Sequence, residues 1–234
     1  MTIEDMHYDF KLKFNKIDSQ QQKNLLIPEI DWILNEAVRL FVKLIAKPRV
    51  TNPLGFETSQ RTIDDIRTIV KNNVPIIVSN NEITLPSDYW HYVKGEVEIS
   101  KNNCKEVIAS LTPIQHDDEA EKSDFDNSNF EWRNVNGLFY ENKIKLHTDK
   151  TFVNDKVFLS YIRKVLYIHN AKDFRGGTYN LPDGTTQTNK QDCELPWQTH
   201  DEIVDIAVML ASNQIESPAA QLQLNKLKLN NLIL

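Results

Sequence analysis

Lys156-Val157-Phe158-Leu159-Ser160-Tyr161-Ile162-Arg163-Lys164-Val165-Leu166-Tyr167-Ile168 is the stretch whose reading decides the fold. At period two, one face carries Val157, Leu159, Tyr161, Val165 and Tyr167, and the other carries Phe158, Ile162, Leu166 and Ile168. A strand that is apolar on both faces has to be covered on both, and its β-branched and aromatic content argues against a buried helix. We therefore expect a central strand, with Phe158, Tyr161, Ile162 and Leu166 in the core. Arg163 and Lys164 interrupt it and predict a bend, a sheet edge or an ion pair. Lys143 to His147 and one strand of a preceding meander are the expected neighbours.

Helical patterns at the two ends of the chain are the candidates to cover this strand. Thr2 and Asp5 form a capping-box pattern ahead of Ile3, Met6, Phe10, Phe14 and Ile17, which recur at spacings of three and four. Pro28 suits the start of a second helix and Pro48 its stop. The apolar set of that helix is broad and includes Trp32 and Phe41, both expected in the core. Arg39, Lys43 and Lys47 draw a basic line along it, read either as a contact with acidic groups or as a solvated stripe. Thr62 with Asp65 caps a short third helix that ends at Asn72-Asn73. Towards the other end, Thr199 to Glu202 forms another capping-box pattern, with Ile206 and Leu210 on the inner face of the helix that follows. Ser217-Pro218 opens a last helix. In it, Leu222, Leu229 and Leu232 cluster on one side, and Leu224, Leu227 and Leu234 on nearly the opposite side. Two apolar stripes need two partners, one of which can be another subunit.

Between these ends the period changes to that of strands. Val74 to Val78 and Glu82 to Leu85 flank the turn residues Asn80-Asn81 and read as a hairpin. His91 to Ser100 and Lys105 to Leu111 continue an antiparallel meander. Trp132 to Val135, Leu138 to Glu141 and Lys143 to His147 return to strand character. His116 to Asn129 is acidic, with Asp117, Asp118, Glu119, Glu121, Asp124 and Asp126 against one lysine. It is a solvated insertion or, less in keeping with its spacing, a calcium loop. Asn170 to Trp197 is long, poor in apolar residues and rich in turn residues, which predicts an arm reaching a neighbour or a surface loop. The expected organisation is a helical segment 1–73, an antiparallel β domain 74–169 containing the insertion 116–129, an extended arm or loop 170–198, and closing helices 199–234. The expected class is α+β, a helical bundle of N- and C-terminal helices packed against an inserted antiparallel sheet.

Composition narrows the chemistry. The 234 residues carry a formal charge of -6, which argues against a nucleic-acid grip. Glycine-rich phosphate loops, H-E-x-x-H and G-x-S-x-G are absent from the sequence. Cys104 and Cys193 stand without metal-ligand spacing and read as ordinary thiols. No cofactor, metal site or catalytic residue is expected. The first residues lack a basic-then-apolar leader and no apolar run is long enough for a bilayer, so a cytosolic product without membrane contact is expected.

The order of elements, with Ile83-Thr84-Leu85-Pro86-Ser87-Asp88-Tyr89 opening the sheet and Val157 to Ile162 at its centre, resembles the head-to-tail adaptor proteins of tailed phages. It is similar in particular to the ring proteins below the portal of short-tailed, crAss-like bacteriophages. The resemblance implies a structural virion protein at the head-tail junction, made in the host cytoplasm. Such a protein forms a homo-oligomeric, twelve-fold ring, binds the portal protein and further tail proteins, and extends a channel through which genomic DNA passes non-specifically. Under that reading Arg175, Gly176, Gly177, Tyr179 and Pro182 of the arm, and Leu222, Leu224, Leu227, Leu229 and Leu232 of the last helix, are the expected subunit or portal contacts. The insertion 116–129 departs from the family pattern. The alternatives are a tail-associated carbohydrate- or host-binding module using the Trp and Tyr residues of the sheet, and an enzyme acting on cell wall or nucleic acid.

Overall fold

The computed structural model describes residues 1–17, 25–46, 64–101, 106–114 and 127–214. Two compact units result. One is continuous, Val70–Lys164, and the other joins Met1–Ile69 to Val165–Leu234.

The continuous unit is a seven-stranded sheet. Its strands are β1 (Val70–Ile77), β2 (Glu82–Thr84), β3 (Tyr89–Ser100), β4 (Val107–Ile114), β5 (Asn134–Tyr140), β6 (Lys143–Leu146) and β7 (Val153–Arg163). They lie in the order β1-β7-β3-β4-β5-β6-β2. β7 sits between β1 and β3: Leu159 faces Val74 on one side and Gly95 on the other, and Val157 faces Ile76 and Val97. Of the neighbours expected from sequence, the meander strand is there as β3, whereas Lys143 to His147 is corrected, because Lys143–Leu146 pairs with β5 and β2. The sheet is also mixed, since β4 and β5 run parallel from Ser110↔Asn134 to Ile114↔Leu138. A parallel pair needs a crossover of roughly a dozen residues or more. The stretch 115–133 exceeds that, so no hairpin is imposed there.

The sheet is strongly curled, and its connectivity explains why. β1 and β2 are neighbours in sequence, joined through Asn80 and Asn81 at φ 53° and 58°, yet they occupy opposite edges of the sheet. The expected turn forms, with Ser79 and Glu82 exchanging both backbone bonds at 3.0 and 2.9 Å, but the pairing stops at that one bridge and no β1–β2 ladder follows. Both edges must therefore bend round to meet this one turn. Asn81 marks the meeting, because its carbonyl accepts the Leu146 amide of β6 at 2.7 Å and its side-chain oxygen accepts Asn154 Nδ2 of β7 at 3.3 Å. Inside the curl, Val97, Ile99, Leu111, Val135, Ile144, Val157, Leu159 and Tyr161 form the core. Full burial of each aliphatic side chain contributes ~1.5–3 kcal/mol. Leu111 fits because two of its close neighbours lack side chains: a Cβ on Gly95 would come within 2.6 Å of it, and one on Gly137 within 2.7 Å.

In the discontinuous unit the helices are α1 (Ile3–Ile17), α2 (Ile27–Ala46) and α3 (His200–Gln214), with a helical turn at 64–66 and a 3-10 turn at Arg67–Ile69. The Thr2–Asp5 capping box forms, with the Asp5 amide donating to Thr2 Oγ1 at 3.2 Å and the Thr2 amide donating to Asp5 Oδ2 at 2.9 Å. Ile3, Met6, Phe10 and Phe14 of α1, Phe41 of α2 and Ile206 of α3 are buried, and both α1 and α2 pack on α3. The pattern at Thr199 makes no such box; its hydroxyl donates back to the Pro196 carbonyl at 2.8 Å.

The expected helical bundle against an antiparallel sheet is thus overturned. A curled mixed sheet dominates the fold, and of the few described helices only α2 is long. The physical reason lies partly at Val70–Ile77, expected to begin as helix, which is edge strand from its first residue. The last helix expected after Ser217 lies outside the described residues. Two expected core residues are also corrected. Trp32 is 46% exposed because it shares the i, i+4, i+7, i+11 stripe with Glu36, Arg39 and Lys43. Leu166 is 54% exposed because the strand ends at Arg163, so the alternation that placed it inward no longer applies. Phe158 and Leu210 are half-buried, while Tyr161 and Ile162 are buried.

Candidate functional site

Asp31 is the most chemically loaded position in the helical unit. It is fully buried on the inner stripe of α2, with Asn35 one turn on and Val38 and Val42 beyond. A carboxylate there needs donors, and it has them. His7 Nε2 of α1 donates at 2.7 Å, the Asn170 amide donates at 3.1 Å, and the Tyr179 hydroxyl donates at 2.6 Å. Burial, followed by the bond to Asp31, pushes the Tyr179 phenol far above its ordinary range, so its proton stays on the ring oxygen. Asn35 completes the arrangement: it accepts the Ile168 amide at 2.9 Å and donates to the Ile168 carbonyl at 2.7 Å, as a strand partner would.

These bonds determine the character of the segment after Val165. The sequence predicts an extended arm or loop over 170–198. Instead the segment is a strap folded on its own unit. β8 (Thr178–Asn180) and β9 (Thr186–Thr188) form a small hairpin in which Tyr179 points inward between exposed Thr178 and Asn180. Gly176 and Gly177, at φ 93° and 71°, turn the chain into it. Two further contacts fasten the strap: Asp192 Oδ1 accepts the Ile3 amide at 2.8 Å, and Lys190 Nζ lies 3.0 Å from Glu4 Oε2. Tyr179 is therefore an internal anchor and not a surface contact. Arg175, Gly176 and Pro182 are exposed and Gly177 is half-buried. Leu222, Leu224, Leu227, Leu229 and Leu232 lie outside the described residues, as do Lys47 and residues 116–126 of the acidic insertion.

Sequence reasoning passed over Asp31, Asn35 and His7, although the signal was present: polar residues on an otherwise apolar helical stripe require partners. Cys193 sits in the strap half-buried, and burial pushes its thiol up to about 11. Among the described residues no group of three or more His, Cys, Asp or Glu is placed to hold a metal ion. No helix among them is long and apolar enough to cross a membrane.

In the sheet unit, the two motifs that carry the resemblance hold one another. Asp88 accepts the Tyr161 hydroxyl at 2.9 Å and Lys71 Nζ at 2.6 Å, and Tyr161 stacks at a tilt against Tyr89 with centroids 5.6 Å apart. The Lys71 bond, opposed by partial burial and aided by Tyr161, holds the Asp88 carboxyl below its ordinary range. This cluster fastens the β2–β3 connection to β1 and β7.

What remains for function is surface. Trp132 and Ile77 of the sheet unit are each 79% exposed and Trp197 of the helical unit is 76% exposed. A groove of about 300 Å³ opens on α2 and α3, lined by Trp32, Glu36, Arg39, Leu40, Lys43 and Leu210. The Arg39 guanidinium lies over the Trp32 ring, 5.9 Å from its centroid. No protein-family model matches the chain, and no curated protein is similar to it in sequence.

Proposed function

We propose that this chain is a structural virion protein: a ring subunit that links a phage portal to the tail and extends the DNA channel. The observation that carries the reading is the exposure of Trp132, Ile77 and Trp197, large apolar side chains on both units left largely uncovered among the described residues. Trp is enriched where proteins meet. A ring subunit needs two different contact surfaces, one for each neighbour, and a chain with sticky residues on two separate units supplies them. The motif pair at Asp88 and Tyr161 supports the resemblance to adaptor proteins, because the residues quoted for it serve one structural purpose. A net charge of -6 suits a channel through which DNA must slide.

Native mass measurement of the full chain, alone and mixed with a portal protein, tests the reading. An oligomer with a single defined subunit number that joins the portal is the expected result. A chain that stays solitary at every concentration and never joins the portal overturns it. Trp132 also fits a second reading, a sugar-stacking platform of a tail-associated carbohydrate-binding module. Binding on a glycan array that Trp132→Ala abolishes would favour that reading.

A further inference from the structure

The groove on the helical unit takes no part in the Asp31 network. Its apolar surfaces are the half-exposed Trp32 indole and the half-buried Leu40 and Leu210, and its rim carries Arg39 and Lys43 against a single carboxylate, Glu36. An apolar slot beside two cations selects an aromatic or aliphatic side chain flanked by acids. The chain contains such a sequence, Asp124-Phe125-Asp126, within its acidic insertion. Two other segments outside the described residues carry apolar side chains: 47–63, with Lys47, Arg49 and Arg61 against Glu57, and 215–234, with Lys226 and Lys228 against Glu216. The net positive charge of both opposes the same rim.

We propose that the Trp32–Leu210 groove receives Asp124-Phe125-Asp126 of a second copy of the chain, the phenyl ring entering beside Trp32 and the two carboxylates meeting Arg39 and Lys43. The proposal rests on the reading of the chain as a self-assembling subunit, and it gives the acidic insertion a purpose. Each copy then offers one groove and one acidic segment, a head-to-tail contact that closes into a ring.

The test replaces Phe125 by the photo-reactive benzoylphenylalanine in the full chain, prepared half in natural isotopes and half fully labelled, mixed before irradiation. Cross-links from position 125 to α2 that join light with heavy peptides are expected. Arg39→Glu or Lys43→Glu should reduce them about tenfold, as loss of one good charge contact does. Both positions are exposed, so the variants should fold, and circular dichroism verifies it. Asp124→Lys with Asp126→Lys should restore cross-linking to the Arg39→Glu, Lys43→Glu chain. Cross-links confined to one isotope, cross-links elsewhere than α2, or yields indifferent to the groove variants overturn the proposal. Mass measurement on the same samples separates the two readings. An oligomer without the inter-copy cross-link sinks the groove alone, whereas a solitary chain sinks both.

Discussion

Replacing Asp31 by Asn asks what fastens the strap to the helices. The carboxylate accepts from His7 Nε2 at 2.7 Å, from the Asn170 amide at 3.1 Å and from the Tyr179 hydroxyl at 2.6 Å, with no exposure to water. An amide side chain keeps one acceptor oxygen and turns an NH2 toward a group that also donates. Hydrogen bonds to a charged acceptor contribute ~1.5–3 kcal/mol each. Disrupting a buried ionic contact from one side costs roughly 3–5 kcal/mol, so Asp31→Asn should fall in that range. At ~1.4 kcal/mol per factor of ten, amide exchange at Asn170 and across the Thr178–Thr188 hairpin should quicken by roughly a hundredfold to a few thousandfold. Tyr179→Phe removes one donor and leaves the others, so its effect should be clearly smaller. Exchange in β3 and β7 provides the internal reference. An Asp31→Asn chain within ~0.5 kcal/mol of the parent, or a Tyr179→Phe chain worse than it, would refute the assignment of the carboxylate as the fastening point.

Three further outcomes are expected. Gly95→Ala should cost ~1–3 kcal/mol in a denaturant titration, because the new Cβ would press within 2.6 Å of Leu111 in the curl of the sheet; an unchanged midpoint would mean the strands do not approach so closely. Acid should weaken the helical unit. His169 and His200 are held below the ordinary 6.5 by burial, so the unfolded chain takes protons more readily. Stability is then full above 6.5 and drains away as pH falls below it towards the folded values. Urea midpoints across that window should show the loss, and His169→Gln with His200→Gln should flatten it. Cys193, with its thiol at about 11, should react with alkylating reagents at pH 8 far more slowly in the native chain than after denaturation, as peptide mapping by mass would show.

Local patterns were legible in the sequence where the physics is local. The Thr2–Asp5 box and the Ile3, Met6, Phe10, Phe14 stripe follow from spacing alone. The apolar character of Val157 to Ile162 marked a strand with partners on both sides. That one partner comes from the meander was legible, but that the other is β1 was not, since both reach β7 from far along the chain and no spacing records a register. The parallel β4–β5 pair was hidden for the same reason, because its crossover runs through a stretch with no strand signal. Trp32 is apolar yet its angular position on α2 places it on the solvated stripe, while Asp31, on the inner stripe, carries no residue-type signal of burial. The β8–β9 hairpin escaped notice because its strands span three residues each, and its organising contact, Tyr179 on Asp31, lies across 148 positions. The candidate groove was half legible: Arg39 and Lys43 stood out as a line, but Leu210 joins them only through the packing of α3 on α2.

The division of the chain sets an order of events at the ribosome. The sheet unit is one uninterrupted run, Val70 to Lys164, so it can complete its hydrogen bonding while later residues are still being made. The helical unit has no such freedom, for α1 and α2 emerge first but the strap and α3 that satisfy Asp31 and cover the Phe10 stripe arrive last. During that interval the early helices carry bare apolar faces and a carboxylate lacking two of its three donors. A nascent chain paused between Lys164 and His200 is where holding chaperones should be found.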